Sequence, residues 1–95
     1  MATRPSDLSN YYDEDGRLKQ YPRKRRELRA PILDALAEGF AVGERYTEKE
    51  VNARIAARIA FSDVETLRRE LIDTGRLSRL RDGSQYWREP TPIEN

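Results

Sequence analysis

The residues of this chain best placed to do chemistry are its arginines and lysines. Arg17, Lys19, Arg23, Lys24, Arg25, Arg26 and Arg29 crowd one short stretch in which Glu27 is the acid, a local charge of +6. Arg68, Arg69, Arg76, Arg79, Arg81 and Arg88 follow against Glu70, Asp73 and Asp82, a local charge of +3. The whole chain carries only +1, and Arg4 against Asp7, Asp13, Glu14 and Asp15 makes its start acidic. Charge sorted in this way gives a dipolar molecule with one or two basic surfaces, the electrostatic footprint of a polyanion binder. Guanidinium forks suit phosphate oxygens because two parallel N–H groups meet two acceptors.

The residues that are missing narrow the chemistry further. With no cysteine and no histidine, disulfides, thiolate nucleophiles, the usual zinc ligands and imidazole acid–base catalysis all lose their residue. The carboxylates do not cluster as a magnesium site would require. Asp13-Glu14-Asp15-Gly16 opens like a calcium loop but lacks the later ligands and the terminal bidentate Glu. The expectation is a protein that is not an enzyme, with no metal and no cofactor. No apolar run reaches the roughly 18 residues a membrane span needs. The N-terminus also lacks a signal-peptide apolar region, so no membrane partner and a cytoplasmic location are expected.

These side chains need elements to hold them. The chain has 95 residues, of which 37% are hydrophobic and 37% charged, so one domain with a modest core is expected. Residues 1–10 are polar and aperiodic and predict a flexible tail. Asp15-Gly16 is a turn signal that predicts a short hairpin or ordered turn beside Tyr11 and Tyr12. Leu28, Ile32, Leu36 and Phe40, widened by Leu33 and Ala37, form one helical stripe within a predicted helix from Pro22 to Gly39. Pro31 implies either a kink or a restart of that helix at the proline. Thr47 and Glu50 form a capping box at the start of a second helix, Glu48 to about Ile59, with Val51, Ile55 and Ile59 inward. Tyr46 is expected to pack on the core beside that cap. Ser62 and Glu65 repeat the capping pattern for a third helix, Asp63 to Thr74, with Val64, Leu67 and Leu71 inward and Gly75 ending it. The link between the second and third helices is then Ala60-Phe61-Ser62. Asp82-Gly83 predicts a two-residue hairpin turn. In that register Leu80 faces Gln85, Arg79 faces Tyr86 and Ser78 faces Trp87. Residues 90–95, with Pro90 and Pro92, predict an exit tail.

Helix, capped helix, short link, capped helix and arginine-rich hairpin is the order of a mainly α winged helix-turn-helix domain, here residues 11–89. The chain also resembles the domain of unknown function 2087 family. Four stretches carry the likeness: Asp15–Pro22 with the basic run after it, Ile32–Phe40, Arg45–Asn52, and Thr66–Asp73 continuing to Tyr86-Trp87-Arg88. The resemblance implies a winged-helix-like fold and a role in transcription regulation. The chain departs from that pattern at Pro31. It also departs at Ala57–Ala60, where many relatives carry His or acidic residues.

On this fold the third helix is the recognition helix. Thr66 is assigned to a base edge or phosphate, Arg69 to bidentate guanine contact, and Arg68 to the flank, with Glu65 and Asp73 outward beside them. An Arg69–Asp73 pair is the competing, purely structural use of that run. Arg79 and Arg81, on one strand face, are assigned to phosphates, with Arg76 and Arg88 near the hairpin base. Arg23, Lys24, Arg25 and Arg26 are assigned to phosphates as well. Tyr86 and Trp87 are expected to pack at the core or wing base. The expected function is a double-stranded-DNA-binding transcriptional regulator. The alternative is a non-catalytic protein-interaction module on the same scaffold, with a protein partner or a second copy of the chain.

Overall fold

The structure is a computed structural model that describes residues 6–92. Its elements are α1 (Ser6–Ser9), a 3-10 turn (Arg26–Leu28), α2 (Arg29–Ala37), α3 (Glu48–Ala56), α4 (Val64–Asp73), β1 (Leu77–Arg79) and β2 (Tyr86–Arg88). The helical stripes meet in one core. Ile32, Leu36, Val51, Ile55, Leu67 and Leu71 are buried together, and Leu28, Leu33, Ala37 and Phe40 extend the cluster. No stripe could be buried by its own helix, so α2, α3 and α4 exclude water jointly. None of the helices is long and apolar enough to cross a membrane among the described residues.

Helix starts follow local hydrogen-bonding chemistry. Thr47 caps α3: its Oγ1 accepts from Glu50 N at 3.1 Å, while Glu50 Oε1 accepts from Thr47 N at 2.8 Å. Before α4 the cap is Asp63 and not Ser62. Asp63 Oδ1 accepts from Thr66 N at 3.3 Å, and the helix begins one residue later than the Ser62 pattern predicts. A carboxylate is the stronger partner here, because it both accepts the free N–H and sits at the positive end of the helix. At the far end Gly75, at φ 76°, reverses the chain. Arg76 N reaches Leu71 O at 2.9 Å and Gly75 N reaches Ile72 O at 3.0 Å. These two bonds satisfy the last carbonyls of α4.

Three further stretches, all before α4, differ from the sequence prediction. Pro22–Arg25 is not helical; helical structure starts at Arg26, and Pro31 lies in the first turn of α2. There its missing N–H costs nothing, because the first N–H groups have no partner within the helix. The Arg29 guanidinium takes the carbonyls of Pro22 at 2.9 Å and Arg23 at 2.6 Å, which removes them from any helical ladder. Second, α3 ends at Ala56, so the link to α4 runs over Ala57–Asp63 and is longer than three residues. Ile59 leaves the helix to pair with Leu18: Leu18 N donates to Arg58 O at 2.9 Å, and Ala60 N donates to Leu18 O at 2.7 Å. Third, Ser6–Ser9 form a helical turn with Leu8 buried in the core, where a flexible tail was expected. Residues 1–5 of that tail, and 93–95 of the exit tail, lie outside the described residues.

The hairpin register is as predicted: Ser78 faces Trp87, Arg79 faces Tyr86, and Leu80 N donates to Gln85 O at 2.9 Å. The turn itself is wider. Gly83 N bonds Leu80 O at 2.9 Å, and Gly83 alone in the turn has positive φ. Asp82 turns its carboxylate onto Ser84 N and Ser84 Oγ, which favours an Asx-type turn over the left-handed pair of a two-residue loop. A second bridge, Tyr46 with Tyr86, joins the hairpin to the chain entering α3. The earlier turn is ordered too: Asp13 Oδ1 accepts from Asp15 N and Arg17 N, and Tyr12 pairs with Leu18.

Candidate nucleic-acid interface

Helical periodicity divides the surface of α4. Leu67 and Leu71 face inward. Rotation by about 100° per residue sets Arg68 on one flank, Thr66 and Glu70 on the other, and Glu65, Arg69 and Asp73 between them.

On the Thr66 flank a groove of about 870 Å³ opens between α4 and the loop around residues 19–25. Arg23, Lys24 and Arg25 line it together with Thr66, so the structure brings these four predicted residues to one concavity. Arg26 is exposed at the start of the 3-10 turn and is not part of the lining. The loop is fixed at both sides. Arg29 holds its carbonyls and lies over the Tyr21 ring, 5.6 Å from the centroid. The Tyr21 hydroxyl donates to Glu70 Oε1 at 3.0 Å. Burial, and then the Glu70 carboxylate, hold that hydroxyl far above its ordinary titration range. Arg25 is drawn toward Glu27, with Nε 2.6 Å from Oε2.

On the opposite flank Arg68 is half-buried and donates to Asn52 Oδ1, tying α4 to α3. The Tyr86 hydroxyl donates to Glu48 Oε1 at 2.9 Å; burial and Glu48 raise its titration, while the charges of Arg68 and Arg79 oppose that rise. Arg79 is exposed at the end of β1. Arg81 is exposed within the turn and so does not share a strand face with Arg79 as the alternation predicts. Neither makes an ion pair among the described residues.

Several basic side chains are committed to the fold. Arg76 places Nε 2.7 Å from Asp34 Oδ1 with only 12% of its side chain exposed, and Arg88 donates to Phe40 O at 3.1 Å. Together they anchor the hairpin base on α2 and the chain after it. Arg54 donates to Gly39 O and Arg58 to Ala35 O, satisfying carbonyls at the C-terminal end of α2. A Cβ on Gly39 would come within 2.7 Å of Arg58 Nε, so a side chain there would displace the Arg58 guanidinium. Trp87 is half-buried beneath Arg45, whose guanidinium lies 4.2 Å from its ring centroid, and Trp87 Nε1 donates to Glu89 Oε2. Arg69 is exposed and pairs with Glu65 at 3.7 Å, one turn toward the N-terminus, and not with Asp73. An exposed pair at that distance contributes about 0.3–0.5 kcal/mol.

Tyr21, Phe61 and Glu70 were not legible as site residues. Their meeting depends on the loop folding back over α4, and no local spacing encodes that. The adjacent Tyr21-Pro22 and the basic run are the only local hints.

The family model described as an uncharacterized protein conserved in bacteria (DUF2087) matches residues 17–88, a span that closes on the last residue of β2. No curated protein and no solved structure gives a match.

Proposed function

We propose that this chain, which belongs to the DUF2087 family, is a winged helix-turn-helix protein that binds duplex DNA as a transcription regulator. The fold part of the proposal rests on element order. A helix, a bridging extended residue at Tyr46, two further helices and an antiparallel hairpin follow one another. That is the order in which such domains present their third helix and wing. The observation that carries the functional part is the disposition of charge about α4. Its outward face, with Arg69, lies between Thr66 and the loop cations Arg23, Lys24 and Arg25 on one flank and Arg68 and Arg79 on the other.

In this reading the basic loop and the hairpin arginines hold phosphates, which fixes register without reading sequence. Arg69 reads a base. Its pair with Glu65 is long and exposed, so the guanidinium can exchange that carboxylate for a guanine edge at small cost. Among the described residues the large hydrophobics that stand exposed are Val42 and Leu80, which leaves the protein-interaction alternative less to work with than the charged surface leaves the DNA reading.

Selection from random duplexes with purified protein at physiological salt tests the proposal. An enriched sequence is expected, with preference relaxed at one position by Arg69→Ala. A pool that stays random through successive rounds would count against it.

A further inference from the structure

The groove beside α4 combines three recognition chemistries that duplex binding does not require in one place. Tyr11, Tyr21 and Phe61 line it, and each is half-buried against the core. Aromatic rings in a groove lining suit a planar heteroaromatic ring, and Arg29 already lies over the Tyr21 ring. Arg23 and Lys24 line the same groove, are exposed, and make no ion pair among the described residues. They supply the charge-assisted donors a phosphate takes. Glu70 adds a carboxylate. One of its oxygens holds the Tyr21 hydroxyl at 3.0 Å, and its second oxygen makes no hydrogen bond among the described residues. That oxygen is an acceptor for an amino or ring N–H group. Stacking surface, anion donors and an N–H acceptor within about 870 Å³ fall in the size range of small-molecule sites.

We propose that this groove binds a free nucleoside phosphate. The base lies against the aromatic wall with an N–H edge toward Glu70, and the phosphate lies toward Arg23 and Lys24. A simple aromatic carboxylate would use the ring wall and one cation and leave Glu70 facing an anion. Inorganic phosphate would use the cations alone. A nucleotide engages all three. The site shares Arg23 and Lys24 with the duplex reading but stands apart from the hairpin arginines, so variants of the hairpin tell the two apart.

Calorimetric titration of the full chain with GMP, AMP, CMP and UMP tests this, with inorganic phosphate, the bare nucleosides and a short single-stranded oligonucleotide as comparisons. At least one mononucleotide is expected to bind one-to-one with a Kd below about 1 mM, and about tenfold or more tighter than phosphate or its own nucleoside. The exposed double variant Arg23→Ala/Lys24→Ala should bring the nucleotide down to the affinity of its nucleoside. Glu70→Gln should change the order of preference among bases while the phosphate dependence persists. Phe61→Ala, checked for folding by circular dichroism, should weaken nucleoside and nucleotide together. Arg79→Ala and Arg81→Ala should leave nucleotide affinity unchanged, which separates this site from the duplex-binding proposal. Binding no tighter than inorganic phosphate would overturn the inference. So would unchanged nucleotide affinity in the Arg23→Ala/Lys24→Ala protein, or binding of the oligonucleotide with none of the mononucleotides.

Discussion

The Tyr21 hydroxyl donates to Glu70 Oε1 at 3.0 Å and joins the segment leading into the basic loop to the middle of α4. Forty-nine residues separate the two in sequence. Their contact closes the groove and, with the grip of Arg29 on the Pro22 and Arg23 carbonyls, sets where the loop cations stand.

That contact makes stability depend on pH at the alkaline end. Burial, then the Glu70 carboxylate, raise the Tyr21 hydroxyl above its ordinary value of 10.0. The folded state therefore favours the protonated phenol. Its contribution is complete below about pH 10 and is lost as pH rises through the higher folded value. Tyr21→Phe should destabilise the protein at neutral pH by about 1 kcal/mol and flatten part of the alkaline loss. Tyr86, raised in the same direction, supplies another part. Denaturant unfolding of both proteins across pH 7–11 checks this; coincident curves would show that the contact contributes nothing, and parallel, offset curves that it carries no pH dependence.

The caps give a prediction that separates neighbouring residues. Thr47→Ala and Asp63→Ala should each cost about 0.5–2 kcal/mol, because each removes a bond to an otherwise free N–H. Ser62→Ala should be close to neutral, since the carboxylate of Asp63 already holds Thr66 N. Equal losses at Ser62 and Asp63 in chemical denaturation would mean that the start of α4 is misassigned.

Leu67 is 0% exposed at the centre of the core. Leu67→Ala should cost about 2–5 kcal/mol from lost transfer energy and the cavity left behind. Arg69→Ala, one turn face away on the exposed side, should cost no more than about 0.5 kcal/mol. Thermal melts of the two variants should therefore differ widely. Similar melting temperatures would place α4 in the wrong rotation and remove the argument for an outward Arg69.

Much of this fold is legible in the sequence because it is local. The stripe of Leu28, Ile32, Leu36 and Phe40, the Thr47–Glu50 box, the reversal at Gly75 and the hairpin register all follow from spacing a few residues long. What is not legible is non-local or competitive. Ser62 and Asp63 are both good capping residues in adjacent positions, and only the three-dimensional start of α4 decides between them. Ile59 fits the α3 stripe but is taken by Leu18 from a distant segment. Arg23–Arg26 suggested an exposed helix because nothing in the run announces that Arg29 will claim the carbonyls before it. Arg69 had two acids at helical spacing, and it lies nearer to Glu65 than to Asp73. The site was legible as a set of charges and not as a groove, since Tyr11, Tyr21, Phe61 and Glu70 meet only after the chain folds back on α4.

The central claim, that α4 and its basic flanks bind duplex DNA, is tested most directly by a salt titration of duplex affinity with wild type, Arg79→Ala and Arg81→Ala. With about five phosphates contacted, log affinity should fall against log salt with a slope of about −4.5. Each hairpin variant should weaken binding to every sequence and flatten the slope by about one unit. Weak binding that salt does not affect, or variants that titrate like wild type, would contradict the account.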